Sequence, residues 1–586
     1  MSELAPSRKR PLDELEREDV SEPSTSKLQK SDTCAGEQQG SEDVQMKDST
    51  TPKADEPHSD GGNSDSEQHS ESSERIQQQK KAKKTESGRA RRKKKKGDQD
   101  ESEGPKKRQP RMRRRATKEE EDAAKERKAQ AEALGIPSAP RYPKRQSALL
   151  IGFCGSGYSG MQIQPDNIKT IEGVLFKALV NAGAVSQDNA DDPVKVSLAR
   201  AARTDAGVHA AGNVVSLKMI ITVPGVKDLV ARINEELPPE IRLWGFVRAQ
   251  NSFNARLVCD SRKYTYYFPS YLLIPPKPGS GLYDKLRGKE ASTETSEVES
   301  SPVHPFWQES ATGSHEEDLA RKRAWRVGPA EMERLRKFVK KYEASHNFHN
   351  FTVGREFGDR SNVRFMKEIR VEDPVVHGDT EWISVLFHGQ SFMLHQIRKM
   401  MAALVLTCRI GSSPEIVDEL YKAPMVFIPK MPSLGLLLEE PLFNSYNGRM
   451  TVHNQNYKPT DADYRPLIDF DLHREKIDAF KEEFIYKNMR GIEDRSGLFD
   501  AWVRSVDKYS GDDLLWLNRE GKVPQECVII KGKWRSNPFR EKRVFDTTSF
   551  PSTAIVKKQL LEEAEAAEED EEEEVLDKKH LAETEG

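Results

Sequence analysis

From Gln146 to Glu440 the apolar residues switch repeatedly between the every-second spacing of a strand and the i, i+3, i+4 spacing of a helix. "RQSALLIGF" places Ala148, Leu149, Leu150 and Ile151 in a short buried strand. "TIEGVLFKALVNAG" reads as a helix: Thr170 caps it, Ile171, Val174, Leu175, Ala178 and Leu179 share one face, and Gly183 ends it. "NVVSLKMI" is a strand, "VKDLVARINEELP" a helix with Val226, Leu229, Val230, Ile233 and Leu237 inward, and "IRLWGFVRA" and "RKYTYYF" are further strands. A polar stretch, "GSGLYDKLRGKEASTETSEVESSPV", breaks the pattern and is too polar to build a core. The signals then resume: "MERLRKFVKKYEA" carries Met332, Leu335, Phe338, Val339 and Tyr342 at helical spacing, and "EWISVLFHG" alternates through Ile383, Val385 and Phe387. "FMLHQIRKMMAALVLTCRIG" reads as a helix ending at Gly411, and "LGLLLEE" as a last strand. This succession predicts two α+β halves that share antiparallel strands, with helices on one side.

The flanks have a different character. Residues 1–145 are rich in Ser, Glu, Lys and Gln and are expected to be a disordered charged arm. The expected halves are 146–270 and 326–445, separated by a polar insert, 271–325. An ordered extension of unassigned fold, 446–560, and an acidic tail, 561–586, follow. The formal charge of -3 conceals a strong polarity. Between Lys80 and Arg115 stand 18 Lys/Arg against 5 Asp/Glu, whereas "LEEAEAAEEDEEEEVLD" contains no base. Such runs stay solvated and act as interaction tails; the basic one reads as a nuclear localisation signal bound by an import receptor, or as an RNA-contacting arm. No apolar run approaches a membrane span, the longest lying near "MMAALVLTC", and the N-terminus lacks the apolar core of a secretory signal. The five cysteines are scattered, with neither disulfide-framework nor metal-ligand spacing, as suits a reducing compartment.

Four motifs bear on chemistry. "GSGYSG", residues 155–160, fits G-x-G-x-x-G after a strand, but "MQIQPDN" intervenes before the helix and Met161 stands where a P-loop needs Lys. It reads as a glycine-rich turn, which leaves a nicotinamide oxidoreductase the weaker catalytic reading. "FNARLVCDSRKYTYYF" interleaves Arg256, Arg262 and Lys263 with Tyr264, Tyr266 and Tyr267. That pattern serves a half-buried strand, or a surface that stacks on unpaired bases while holding phosphates. Arg398 lies among Phe392, Leu394, Ile397, Met401 and Leu404, where an unpaired guanidinium is untenable and a carboxylate partner is required. Asp205, in "ARTDAGVHAAG", is a candidate for that partner; taken alone, it reads first as a turn residue bonding its own backbone, ahead of any catalytic role. His395 is expected to be a packed or rim histidine.

Taken in order, "GSGYSGMQIQ", "ARTDAGVHAAG", "FNARLVCDSRKYTYYF", "FMLHQIRKM" and "PSLGLLLEE" resemble the TruA-type tRNA pseudouridine synthases, over roughly residues 146–445. Arg-Thr-Asp-Ala-Gly-Val-His is the most specific phrase, and "SGMQIQ...TIEGVLFKAL" looks like the eukaryotic, fungal branch. Cys154 departs from the acidic residue of bacterial members. The resemblance implies the pseudouridine synthase fold: two ferredoxin-like α+β halves joined into one largely antiparallel sheet around a basic cleft, with disordered termini. It makes Asp205 the catalytic aspartate, Arg203 a holder of the RNA backbone and the flipped nucleotide, and Tyr264 the base-stacking tyrosine. It makes Arg398 the arginine pairing with the catalytic carboxylate, and Leu436 a pocket wall. It further implies an isomerase acting on tRNA, with other structured RNA such as snRNA or mRNA as additional substrates, a nuclear location and a monomeric state. No cofactor is implied for catalysis; structural zinc belongs to some fungal relatives, but no ligand spacing here supports it. Attack at C1′, addition at C6 and a glycal route are all open to such a carboxylate, and a non-catalytic RNA-binding protein on the same scaffold is the competing reading.

Overall fold

Ten strands in a single sheet carry the fold of the computed structural model, which describes residues 142–164, 168–291, 303–308, 313–532, 545–546 and 548–549. The charged arm with its basic cluster, and the acidic tail, lie outside the described residues. The strands are β1 (Lys144–Phe153), β2 (Ala199–Arg200), β3 (His209–Ile220), β4 (Ile241–Arg248), β5 (Ser261–Pro269), β6 (Ala344–Asn347), β7 (Val363–Val371), β8 (Val375–His377), β9 (Thr380–Gly389) and β10 (Leu436–Leu442). Their path across the sheet is β4-β1-β3-β10-β5-β9-β7-β6, with β2 beside β3 and β8 beside β9. The first strand begins at Lys144, slightly ahead of the expected boundary, because Lys144 and Arg145 already pair with Ile220 and Met219.

Local chemistry sets the helices. Helix α1 (Ile171–Asn181) starts where the Thr170 side chain accepts the Gly173 N–H at 3.2 Å, and it buries Ile171, Leu175, Ala178 and Leu179. Helix α2 (Leu229–Glu236) begins later than the apolar spacing implied, because Asp228 caps it by accepting the N–H groups of Val230 (2.9 Å) and Ala231 (3.0 Å). Val226 is left in the preceding turn. Helix α3 (Pro329–Lys340) buries Met332, Leu335, Phe338 and Val339, and α4 (Gln396–Ile410) is buried nearly throughout. Each such aliphatic or aromatic side chain contributes roughly 1.5–3 kcal/mol of transfer free energy.

Two stretches are more ordered than their polarity suggested. The insert opens with the buried run Tyr271–Ile274, then a helix, Gly281–Ala291, that buries Leu282. Within it Trp307 is buried too, its indole N–H donating to the Pro275 carbonyl at 2.9 Å. The C-terminal extension is largely helical and lies on the sheet: Phe480 meets Trp244 edge-on at 5.3 Å, and Phe470 packs on Gly212. Every residue of β3 except Lys218 is consequently buried, so cover is not confined to one side of the sheet as the periodicity had implied.

The sheet divides into β4-β1-β3 and β10-β5-β9-β7-β6, so β5, from the stretch expected in the first half, sits among the strands of the second. The two halves of the sheet meet at its only parallel pairing among the described residues, Leu437 with His209 and Leu438 with Ala210. A pairing this short needs help, and His209 supplies it. Its Nδ1 accepts the Gly155 N–H at 3.0 Å, so its Nε2–H donates to the Leu434 carbonyl at 3.2 Å. The imidazole thereby ties the first half's glycine turn to the second half's last strand. Burial, partly opposed by the Leu434 bond, pushes its pKa down from the ordinary 6.5 to about 4. A depressed histidine stabilises the fold fully above pH 6.5, and that contribution is lost as pH falls toward 4. Chemical denaturation at pH 7 and pH 5 is expected to show the parent losing about 2 kcal/mol more stability than the non-titrating His209→Gln variant; equal losses in the two proteins would refute this role for the neutral imidazole.

Candidate active site

Asp205 occupies the loop between β2 and β3, and that loop is held from three directions. From β3, the Asn213 carboxamide brackets Ala202, accepting its N–H at 3.2 Å and donating to its carbonyl at 3.0 Å. From β5, Arg262 donates Nε (3.2 Å) and Nη2 (2.7 Å) to the Ala201 carbonyl and Nη1 (2.8 Å) to the Gln390 carbonyl. From the glycine turn, the Met161 N–H donates to the Thr204 carbonyl at 3.1 Å. That approach needs glycine at position 160, which sits at φ +90° and where a Cβ would stand 2.8 Å from the Thr204 oxygen. "GSGYSG" thus lets two loops touch, and has no part in holding a dinucleotide pyrophosphate.

The loop turns as its composition suggests, the Val208 N–H donating to the Asp205 carbonyl at 3.2 Å. Beside Asp205 a cleft is lined by Arg203, Arg262, Tyr264, Phe392, His395 and Leu436. Tyr264 comes from β5, where it pairs with Leu438 and Phe387, and its ring meets Phe392 edge-on at 5.1 Å. Burial pushes its phenol pKa up, the Asp205 charge adds to this and Arg262 opposes it, so the hydroxyl stays protonated at neutral pH. Leu436 is the first residue of β10. Of the other basic and aromatic residues in that motif, Arg256 is exposed, Lys263 pairs with Glu440 at 2.9 Å, and Tyr266 donates inward to the Pro432 carbonyl at 2.6 Å.

Arg398 enters from α4, fully buried, and its Nη1 lies 3.9 Å from Asp205 Oδ2. The expected partner is therefore close, but it is not the nearest. Nε donates to the Met431 carbonyl at 2.6 Å, and Nη2 makes a short contact with Asp546, a carboxylate no motif pointed to. Burial works against the guanidinium's charge, and Asp546 followed by Asp205 more than restores it, raising its pKa.

His395 is packed at the rim of the cleft, as expected, and there it neighbours Asp205. Its Nε2 is 3.6 Å from Asp205 Oδ2, and burial, then Lys430, Arg398 and Lys399, drive its pKa well below 6.5. The imidazole is neutral at physiological pH and contributes a dipole to the site. It also explains why α4 begins at Gln396 and not at Phe392: His395 takes the left-handed φ of +58°, and the Gln396 side chain accepts the Met393 N–H at 2.9 Å. Cys154 is buried, its thiol pushed up to about 12, which makes it inert. Among the described residues no group of three or more His, Cys, Asp or Glu could hold a metal ion, so a structural zinc finds no donor set there.

The chain was then compared with known proteins. A family model described as tRNA pseudouridine synthase matches residues 338–444, a span that includes Arg398 and Leu436. The tRNA pseudouridine synthase 1 of Candida glabrata is 39% identical over 424 residues, covering 66% of this chain and 75% of that protein. Its namesake in Saccharomyces cerevisiae is 40% identical over 415 residues, covering 64% and 73%. The tRNA pseudouridine(27/28) synthase of the same yeast is 35% identical over 386 residues, covering 61% of this chain and 98% of that protein. With the ten-stranded α+β sheet and the cleft at its seam, these likenesses establish that the chain belongs to the TruA-type tRNA pseudouridine synthase family.

Proposed function

We propose that this chain isomerises selected uridines of tRNA to pseudouridine, with Asp205 as the catalytic carboxylate. The observation that carries this reading is the convergence of Asp205, Tyr264 and Leu436, from three separate elements, on one cleft, with the buried Arg398 behind Asp205 at 3.9 Å. In the reaction the C1′–N1 bond breaks, the base turns, and C5 bonds to C1′. The C5 hydrogen leaves to water and N1 takes one up. No electron is exchanged and no group is lost, so the chemistry calls for neither nicotinamide nor metal. A carboxylate beside the sugar serves as nucleophile or as base and electrostatic stabiliser. Arg398 offers positive charge on its far side, and the neutral His395 a polar contact that adds no charge. The target nucleotide must leave its stack, at a few kcal/mol, and the face of Tyr264 offsets part of that by stacking. Arg203 at the cleft is suited to the phosphate beside the flipped base.

The same reading extends to details. Uridines at positions 27 and 28, the numbers in one relative's name, and others near the anticodon stem are the first substrates to try, and other structured RNAs follow. The basic run from Lys80 to Arg115 fits an import receptor and hence the nucleus, and the chain acts as a monomer.

Asp205→Ala and Asp205→Asn are expected to lower tritium release from tRNA labelled at uridine C5 by about 10⁴-fold or more while leaving tRNA affinity within a few-fold. Release equal to the parent's would overturn the assignment and favour a non-catalytic RNA-binding scaffold. At Tyr264, Phe keeps the stacking face and is expected to hold single-turnover rates within about threefold, whereas Leu costs about 10–100-fold; a Phe variant as slow as the Leu one would show that the hydroxyl, not the ring, is needed. Neutralising the Lys and Arg between Arg89 and Lys96 is expected to shift a fluorescent fusion from nucleus to cytoplasm, and an unchanged distribution would count against the import reading.

A further inference from the structure

Arg398 serves two carboxylates, and the second lies 148 residues further along the chain. Asp546 receives Nη2 of Arg398 on Oδ1 and Nζ of Lys430, itself buried, on Oδ2 at 2.9 Å. Lys430 is tied in turn to the C-terminal extension, its carbonyl accepting the Trp502 indole N–H at 2.8 Å. Around Asp546 the backbone is docked at several points. Ser433 Oγ donates to the Phe545 carbonyl at 3.2 Å, and Thr548 Oγ1 donates to Ser156 Oγ at 2.8 Å. The Asp546 carbonyl rests on Gly207, two residues after Asp205: a Cβ there would stand 2.5 Å from that oxygen and 2.6 Å from Ser433 Oγ. Phe545, Asp546 and Thr548 therefore touch the segment leading into β10, the Asp205 loop and the glycine turn.

Charge counting shows what this contact does. Besides Lys399, which the Thr352 carbonyl holds at 3.0 Å, Arg398 and Lys430 are two buried cations, and Asp205, which lines the cleft, is needed by the substrate. With Asp205 as their sole counter-charge, the interior would hold an excess positive charge, which is costly, and both cations would be drawn onto the reacting carboxylate. Asp546 supplies the missing negative charge from behind. Burial works against its ionisation, but Arg398 and Lys430 outweigh this and hold its carboxyl below the usual range. The guanidinium is then fixed by Met431 and Asp546 and turns only the Nη1 edge, at 3.9 Å, toward Asp205.

We propose that Asp546 is a positioning residue for the isomerisation: acting through Arg398, it orients the guanidinium behind Asp205 and keeps that carboxylate from being locked in a bidentate ion pair. The C-terminal segment is on this account a working wall of the active site. The proposal rests on the assignment of Asp205 and Arg398 to the reaction.

Asp546→Asn preserves shape and removes the charge. Single turnover of tRNA tritiated at uridine C5 is expected to slow about 30-fold with KM for tRNA changed less than about twofold, and Asp546→Glu to recover most of the rate. A purely structural role predicts a lower melting temperature with an unaltered rate in the folded fraction. A parent-like rate in Asp546→Asn, a change in KM alone, or an Asp546→Glu as slow as Asp546→Asn overturns the proposal. Should Asp546→Asn fail to fold, Ser433→Ala, which frees Phe545 and alters no charge, is expected to slow single turnover about threefold, and an unchanged rate overturns the proposal equally. Asp205→Ala is assayed alongside: activity there defeats the underlying reading, whereas an inactive Asp205→Ala beside a fully active Asp546→Asn defeats this proposal alone.

Discussion

A guanidinium enclosed by protein on every side has to be paid for by its partners, and around Arg398 those partners come from widely separated stretches of the chain. Met431 gives a carbonyl, Asp546 a carboxylate, and Asp205 a second carboxylate across 3.9 Å. None can be withdrawn without leaving buried charge uncompensated, so the loop after β2, the segment before β10 and the C-terminal extension are fixed to α4 together. The apolar residues of α4 make this demand strict, because they exclude the water that would otherwise solvate the cation. Stability and site geometry are here the same set of contacts.

The seam between the halves shows how little sheet is needed when side chains reinforce it. β3 and β10 pair in parallel over two residues, where His209 bridges the glycine turn and the Leu434 carbonyl. Just before that pairing the chain is in its turn conformation, with Asn213 and Arg262 gripping Ala202 and Ala201. The loop bearing Asp205 is thus suspended from two strands and a second loop, which gives a loop residue the fixity of a strand residue. The phrase "ARTDAGVHAAG" accordingly divides its labour: Asp205 faces the cleft, Gly207 admits the Asp546 backbone, and His209 fastens the halves.

Much of this was legible in the residues because it depends on local signals. Period two and the i, i+3, i+4 pattern located β1, β3, β4, β5, β9 and β10 and the helices α1 to α4, but not the short or exposed strands β2, β6, β7 and β8, and a lone arginine in an apolar helix announced a buried ion pair. What escaped had no local signature. Asp546 lies 148 residues from Arg398, in a stretch without periodicity, and a single aspartate there looks like any other. The helix at Gly281–Ala291 was hidden by its polar composition, because only Leu282 and the half-buried Leu286 carry its apolar contact with the core. The start of α4 was misplaced because Phe392 and Leu394 have the right spacing for its apolar face, while the left-handed turn at His395 depends on tertiary contacts that no propensity encodes. Glu172 was likewise invisible: within a helix it reads as a solvated acid, yet it is fully buried and bidentate with Arg200, at 2.5 and 2.8 Å.

That left-handed turn bears on the chemistry. A histidine at φ +58° is uncommon backbone, and it persists because packing on both sides over-determines it. Its result is an imidazole 3.6 Å from Asp205 in a region already holding Arg398, Lys430 and Lys399. A protonated histidine there would be a further cation beside the carboxylate and would compete with Arg398 for it. Kept neutral by burial and by those same charges, it fills the position with a dipole and leaves the field at Asp205 to Arg398 and Asp546. The field at Asp205 is thus set by a cation that a carbonyl and a second carboxylate already hold in place, and not by a proton on His395.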